Sequence, residues 1–198
     1  QGIMKQMNVR LVCTTDDPTD DLAWHAQIAT SNLGTKVYPA FRPDKALNVH
    51  SPETFNPWVQ RLAQAADTDI STFQRFLDAL EARHDAFHKI GGRLSDHGLN
   101  HCYADFCTEQ EAAGIFDRAR QGQAATPEEQ VRFASLMMLY FGRWDAEKGW
   151  TKQLHVGAHR GNNLRMFRQI GPDTGFDSMG DWRQVESYKQ GSYDRTSV

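Results

Sequence analysis

His155 sits inside the run Gln153-Leu154-His155-Val156-Gly157-Ala158. A strand's period of two puts it on one face with Gly157 and, if the strand continues that far, with His159. An imidazole there has two chemical uses, ligating a metal ion or transferring a proton near neutral pH. A hydrogen-bonded core histidine fits the residues equally well. A second cluster, Phe41-Arg42-Pro43-Asp44-Lys45, ends an apolar run with a guanidinium fork and a nearby ammonium. That pair suits an anionic substrate, or else forms a local ion pair with Asp44. The third cluster is Thr14-Thr15-Asp16-Asp17-Pro18. Adjacent carboxylates on an extended chain point opposite ways, which leaves one to face a site and the other to cap the next helix. Asp96-His97 adds a further histidine at a strand end, with His101 four residues on.

The first three clusters close apolar runs, and the C-terminal ends of buried strands are where α/β enzymes place their chemistry. The pattern predicts strands over 9–15, 35–41, 92–96 and 152–158, parallel neighbours or near-neighbours whose polar tails converge at one end. Helices are expected over 19–30, 54–66, 69–89, 108–120, 127–149 and 162–169. Ile70, Phe73, Phe76, Leu77, Leu80 and Phe87 recur mostly at three and four, which gives one core-facing stripe. Thr126-Pro127-Glu128-Glu129 is a capping box, with Thr126 as N-cap and Pro127 in the first turn. Phe133, Leu136, Met137, Phe141 and Trp144 beyond it call for a thick helix-to-helix core. Paired helices at 54–89 and 107–149 exceed a simple strand-helix alternation, so they are expected to elaborate an α/β core.

The chain has 198 residues, 39% of them hydrophobic, and a net charge of -3. That balance gives no broad basic surface for nucleic acid or an anionic membrane. The 3 cysteines, Cys13, Cys102 and Cys107, show no paired spacing, which fits a reducing cytoplasm. No apolar run approaches the ~20 residues of a membrane helix. There is no HExxH, no complete metal triad, no GxSxG elbow and no glycine-rich phosphate loop, so no nucleotide cofactor is expected.

Taken in order, Gly2-Ile3-Met4-Lys5-Gln6-Met7-Asn8-Val9, Thr14-Thr15-Asp16-Asp17-Pro18, Phe41-Arg42-Pro43-Asp44-Lys45-Ala46, Ser95-Asp96-His97, Gln153-Leu154-His155-Val156-Gly157-Ala158, Arg160 with Asn162-Asn163, and Gly171-Pro172-Asp173-Thr174-Gly175-Phe176-Asp177-Ser178 span almost the whole chain. With these segments the sequence closely resembles the uronate (glucuronate) isomerases, a divergent branch of the amidohydrolase superfamily. The resemblance implies an α/β fold, a partial (β/α)8 TIM-type barrel with additional helices, of which residues 1–198 form a central portion. It also implies aldose-ketose isomerisation of hexuronates, D-glucuronate to D-fructuronate and D-galacturonate to D-tagaturonate; the cysteine usage adds a cytoplasmic location, and a homo-oligomer stays open.

Carried over residue by residue, the resemblance makes His155, Asp16 and Arg42 catalytic. It makes Asp96, His97, Arg160, Asn162 and Asn163 substrate-binding, and His155 a ligand to one divalent metal such as zinc. The family's first-strand His-x-His pair and last-strand Asp have no counterparts here. Its arginine before Gly-Ile-Met stands as Gln1, and His159 and Gly161 depart from its usual residues. Little or no activity is therefore expected of the 198-residue chain alone. Two other readings stay open, a non-catalytic form serving protein association and a metal-dependent hydrolase.

Overall fold

The computed structural model describes residues 2–100, 102–172 and 174–181; the expectations placed on Gln1 and His101 lie outside them. After a short helix, α1 (Gly2–Gln6), four strands form one all-parallel sheet in chain order: β1 (Leu11–Asp16), β2 (Lys36–Phe41), β3 (Leu94–Leu99) and β4 (Thr151–Val156). Parallel neighbours need crossovers that travel back along the sheet. Here α2 (Ala23–Ala29) makes the first, α3 (Pro52–Ala65) with α4 (Phe73–Lys89) the second, and α5 (Glu109–Arg120) with α6 (Pro127–Glu147) the third. Beyond β4, the two-residue strands β5 (Ala158–His159) and β6 (Ser178–Met179) pair antiparallel around α7 (Leu164–Ile170).

Several boundaries differ from expectation, among them the start of α4 at Phe73 where 69 was expected and of β1 at Leu11 where 9 was expected, and three others have a plain local reason. Helix α2 starts at Ala23 because the carboxylates of Asp17, Asp20 and Asp21 accept from the backbone N–H groups of Thr19, Leu22 and Ala23. Those bonds tie the segment into successive Asx turns that compete with the helix. Strand β3 continues to Leu99, so Asp96 and His97 lie inside it. Strand β4 stops at Val156 because Gly157 turns to a positive φ of 83°, so His155, Gly157 and His159 do not share a strand face.

The two faces of the sheet have different fates. Phe41, Ser95, His97, Leu99 and Leu154 turn toward the helices, where Phe41 meets His84, Phe87 and Phe141 edge-on with ring centroids 5.1, 5.2 and 6.4 Å apart. A second aromatic knot ties α3, α4 and α5 together through Phe55, Phe76 and Phe116. These rings bury the large apolar areas that hold the layer together. On the opposite face Leu11, Cys13, Thr15, Thr151, Gln153 and His155 are exposed. No helix among the described residues is long and apolar enough to cross a membrane.

Both α5 and α6 begin with reciprocal capping boxes, Thr108 with Glu111 and Thr126 with Glu129. Each satisfies two N–H groups that a helix end would otherwise leave unpaired. Thr126→Ala is expected to cost about 1 kcal/mol. A lower urea midpoint at unchanged slope will confirm it.

Candidate active site

Arg42 follows the last residue of β2, Phe41, and so turns to the open face. Its Nε donates to Asp44 Oδ2 at 2.7 Å, and its Nη1 lies 3.4 Å from Asp96 Oδ2. The Gly98 N–H also donates to Asp44 Oδ2, at 2.9 Å. Gly98 leaves room for the fork, since a Cβ there would stand 2.1 Å from Arg42 Nη2. Asp96 is steadied from β4, where Gln153 Nε2 donates to its Oδ1 at 3.1 Å. Next in register, His155 lies opposite Gly98, its side chain exposed and with no hydrogen-bond partner among the described residues. Arg42, Asp44, Asp96, Gly98 and His155 thus gather at the C-terminal ends of three adjacent strands. Burial pushes the Asp44 carboxyl above its ordinary range, and the bonds from Arg42 and Gly98 only partly offset this.

Asp16 is placed differently. It pairs in register with Phe41 and turns to the helix side, with its side chain 11% exposed. Its Oδ2 accepts from the Thr14 hydroxyl at 2.6 Å and lies 3.7 Å from His25 Nε2. Its link to the fork is a backbone bond, Arg42 N–H to Asp16 C=O at 2.9 Å.

Asp17 does not cap α2. It accepts from Thr19, from the Trp58 indole at 2.9 Å and from the Lys45 ammonium at 2.9 Å. Burial alone would raise its pKa, but these donors outweigh burial and hold it below the usual carboxylate value. A carboxyl depressed in the folded state contributes stability that is fully present above its unfolded pKa of about 3.9 and is lost as pH falls through the lower folded value. The stability gap between wild type and Asp17→Asn is expected to be widest above about pH 5 and to shrink on acidification. Urea midpoints measured from pH 7 down to pH 3 will show it.

The remaining expected contacts lie elsewhere. His97 faces the helices, 0% exposed, stacked on Phe141 with centroids 5.6 Å apart. Arg160 pairs with Asp177, and Asn162 Nδ2 donates to Ser178 Oγ at 3.0 Å. Asn163 Oδ1 caps α7 by accepting from the Met166 N–H at 3.2 Å. These three therefore use their polar groups within the β5–α7–β6 segment, and no described hydrogen bond joins them to Arg42 or Asp96.

One cluster escaped the sequence reading. Behind the sheet, Asp145 accepts from Ser95 Oγ at 2.7 Å, and lies 3.2 Å from Lys152 Nζ and 3.1 Å from His84 Nε2. Lys152 also reaches His97 Nε2 at 3.2 Å. The available signal was Lys152 itself, which shares its strand face with Leu154 and Val156.

Among the described residues no group of three or more His, Cys, Asp or Glu side chains is placed to hold one ion. His155 offers a single ligand. The described residues do not by themselves make a metal site.

An all-parallel sheet with helices packed on one face, an open opposite face and polar side chains gathered toward the strand C-termini is an arc of a (β/α)8 barrel. The chain belongs to the glucuronate isomerase family, whose family model matches residues 1–192. It is 65% identical to the uronate isomerase of Solibacter usitatus over 185 residues, covering 93% of this chain and 40% of that protein. It is 58% identical to the uronate isomerase of Opitutus terrae, covering 93% of this chain and 39% of that one. Among solved structures, uronate isomerase from Thermotoga maritima matches with a TM-score of 0.87 at 32% identity, over 95% of this chain and 42% of that chain. Glucuronate isomerase from Caulobacter crescentus matches with a TM-score of 0.83 at 27% identity, over 95% and 39%. The chain spans about 40% of the length of the curated relatives it matches.

Proposed function

We propose that this chain supplies one wall of the active site of a uronate isomerase, which interconverts D-glucuronate with D-fructuronate and D-galacturonate with D-tagaturonate. The observation that carries the reading is the Arg42 fork, held between Asp44 and Asp96 over Gly98 and beside His155 in register. Similarity to uronate isomerases along nearly the whole chain supports it.

The reaction removes a proton from C2, moves protons between O1 and O2, and passes through a cis-enediol whose developing charge must be stabilised. Arg42, Asp44 and Asp96 together carry net negative charge when both carboxyls are ionised. Such a trio suits hydroxyls better than a substrate carboxylate: Asp96 accepts from a sugar hydroxyl while Arg42 donates to an oxygen that gains charge. The substrate carboxylate falls to another cation, and Arg160, exposed beyond β4, is our choice, with Asn162 and Asn163 shaping the loop beside it. His97 and Asp16 act from behind the face. His155 moves a proton at a substrate oxygen or gives one ligand to a divalent ion whose other ligands lie outside these residues.

The test is His155→Asn in the complete enzyme. Turnover of both uronates is expected to fall by about 10²-fold or more with the circular dichroism spectrum unchanged. Wild-type turnover removes His155 from the mechanism.

A further inference from the structure

Between the open face and the helix layer, polar atoms line up in one direction. Lys152 Nζ lies 3.2 Å from His97 Nε2, and an ammonium can only donate. Nε2 is therefore the acceptor, and a neutral ring must carry its proton on Nδ1. Burial first, then the charges of Lys152 and Arg42, keep that ring neutral. The His97 Nδ1 and Asp44 Oδ1 atoms are both buried without hydrogen-bond partners, and they stand 3.9 Å apart. One is a donor and the other a carboxylate acceptor, so a small closure joins them. Asp44 offers its other oxygen to Arg42 Nε and the Gly98 N–H.

We infer that Lys152 fixes His97 as its Nδ1-protonated tautomer and through it holds Asp44 beneath Arg42, so that Lys152 and His97 are positioning residues for the strand-end fork. The functional consequence rests on the reading of Arg42 as part of a uronate site; the tautomer does not. The rest of the buried cluster is arranged to the same end. Asp145 anchors the ammonium and is itself held by Ser95 and His84. Phe141 lies nearly parallel to the His97 ring, at 18°, and fixes its plane. His84 supplies an internal contrast, because its Nε2 faces the Asp145 carboxylate at 3.1 Å and so must carry the proton there. His84 is thus a donor at the same ring nitrogen at which His97 is an acceptor.

Long-range ¹H–¹⁵N correlation spectra of the 198-residue chain decide this, with His97 and His84 assigned by His97→Gln and His84→Gln. The expected result is a neutral His97 protonated at Nδ1 and a His84 protonated at Nε2. In Lys152→Met, His97 should lose its single tautomer and the Arg42 Nε–H should exchange with water about tenfold faster, the loss expected for one hydrogen bond. Lys152→Arg should restore both signals. An Nε2-protonated or cationic His97 in the wild type overturns the inference, even if Lys152→Met fails to fold. So does a folded Lys152→Met with both signals unchanged. Absence of uronate turnover in the complete enzyme, with the expected tautomers present, would instead sink only the proposed function.

Discussion

Asp145→Ala is expected to destabilise the fold by about 3–5 kcal/mol, the cost of removing one partner from a buried ion pair. The side chain is buried at the centre of three bonds, to Ser95, His84 and Lys152. Removing it leaves the Lys152 ammonium without its carboxylate, and burial already disfavours the charge on that lysine. It also leaves the Ser95 hydroxyl and the His84 Nε2–H facing an apolar cavity. Asp145→Asn, which keeps the volume and an acceptor oxygen, should cost clearly less. Urea unfolding followed by circular dichroism separates the two variants. A loss below about 1 kcal/mol for Asp145→Ala would show that the cluster is hydrated or replaceable.

Gly98→Ala is expected to leave the fold intact while displacing the Arg42 fork. The added methyl would stand 2.1 Å from Arg42 Nη2 and 3.1 Å from Asp44 Oδ2. Both are ends of side chains, so the cheapest relief is for Arg42 to swing out and abandon Asp96. Gly98 is not among the glycines held at positive φ, and alanine therefore suits its backbone. Loss of a preorganised donor at developing charge typically costs about 10²–10³ in turnover. The complete enzyme with Gly98→Ala should show that loss at near wild-type stability. Gly114→Ala on α5 is the control, because its Cβ would meet nothing closer than Arg118 Nη1 at 3.7 Å. Equal turnover in the two variants would remove Arg42 from the site.

Much of this architecture was legible because local chemistry and tertiary packing agree. Apolar runs ending in polar clusters marked three of the four parallel strands, and Thr126 with Glu129 marked the start of α6. The phenylalanines of α4 recur on the face that packs. Where local bonds compete, the reading shifted: Asp17, Asp20 and Asp21 look like the acidic first turn of a helix but form Asx turns.

The site was legible in part. Arg42, Asp96 and His155 share the open face because strand alternation and register put them there. Asp16 and His97 stood just past the expected ends of β1 and β3; both strands run further, and alternation then turns the two side chains to the helix side. Lys152 and Asp145 were missed because a buried ion pair is a tertiary fact. Its members lie on different elements and carry no spacing signal.

The most direct test is conversion of glucuronate and galacturonate by the complete enzyme containing this segment, with the purified, mass-verified 198-residue chain assayed beside it, each with and without added zinc or manganese. If the chain forms one wall of the site, the complete enzyme will isomerise both uronates or one of them, and the chain alone will convert little or none. Robust turnover that follows the isolated chain through purification, or no turnover by the complete enzyme, would contradict it.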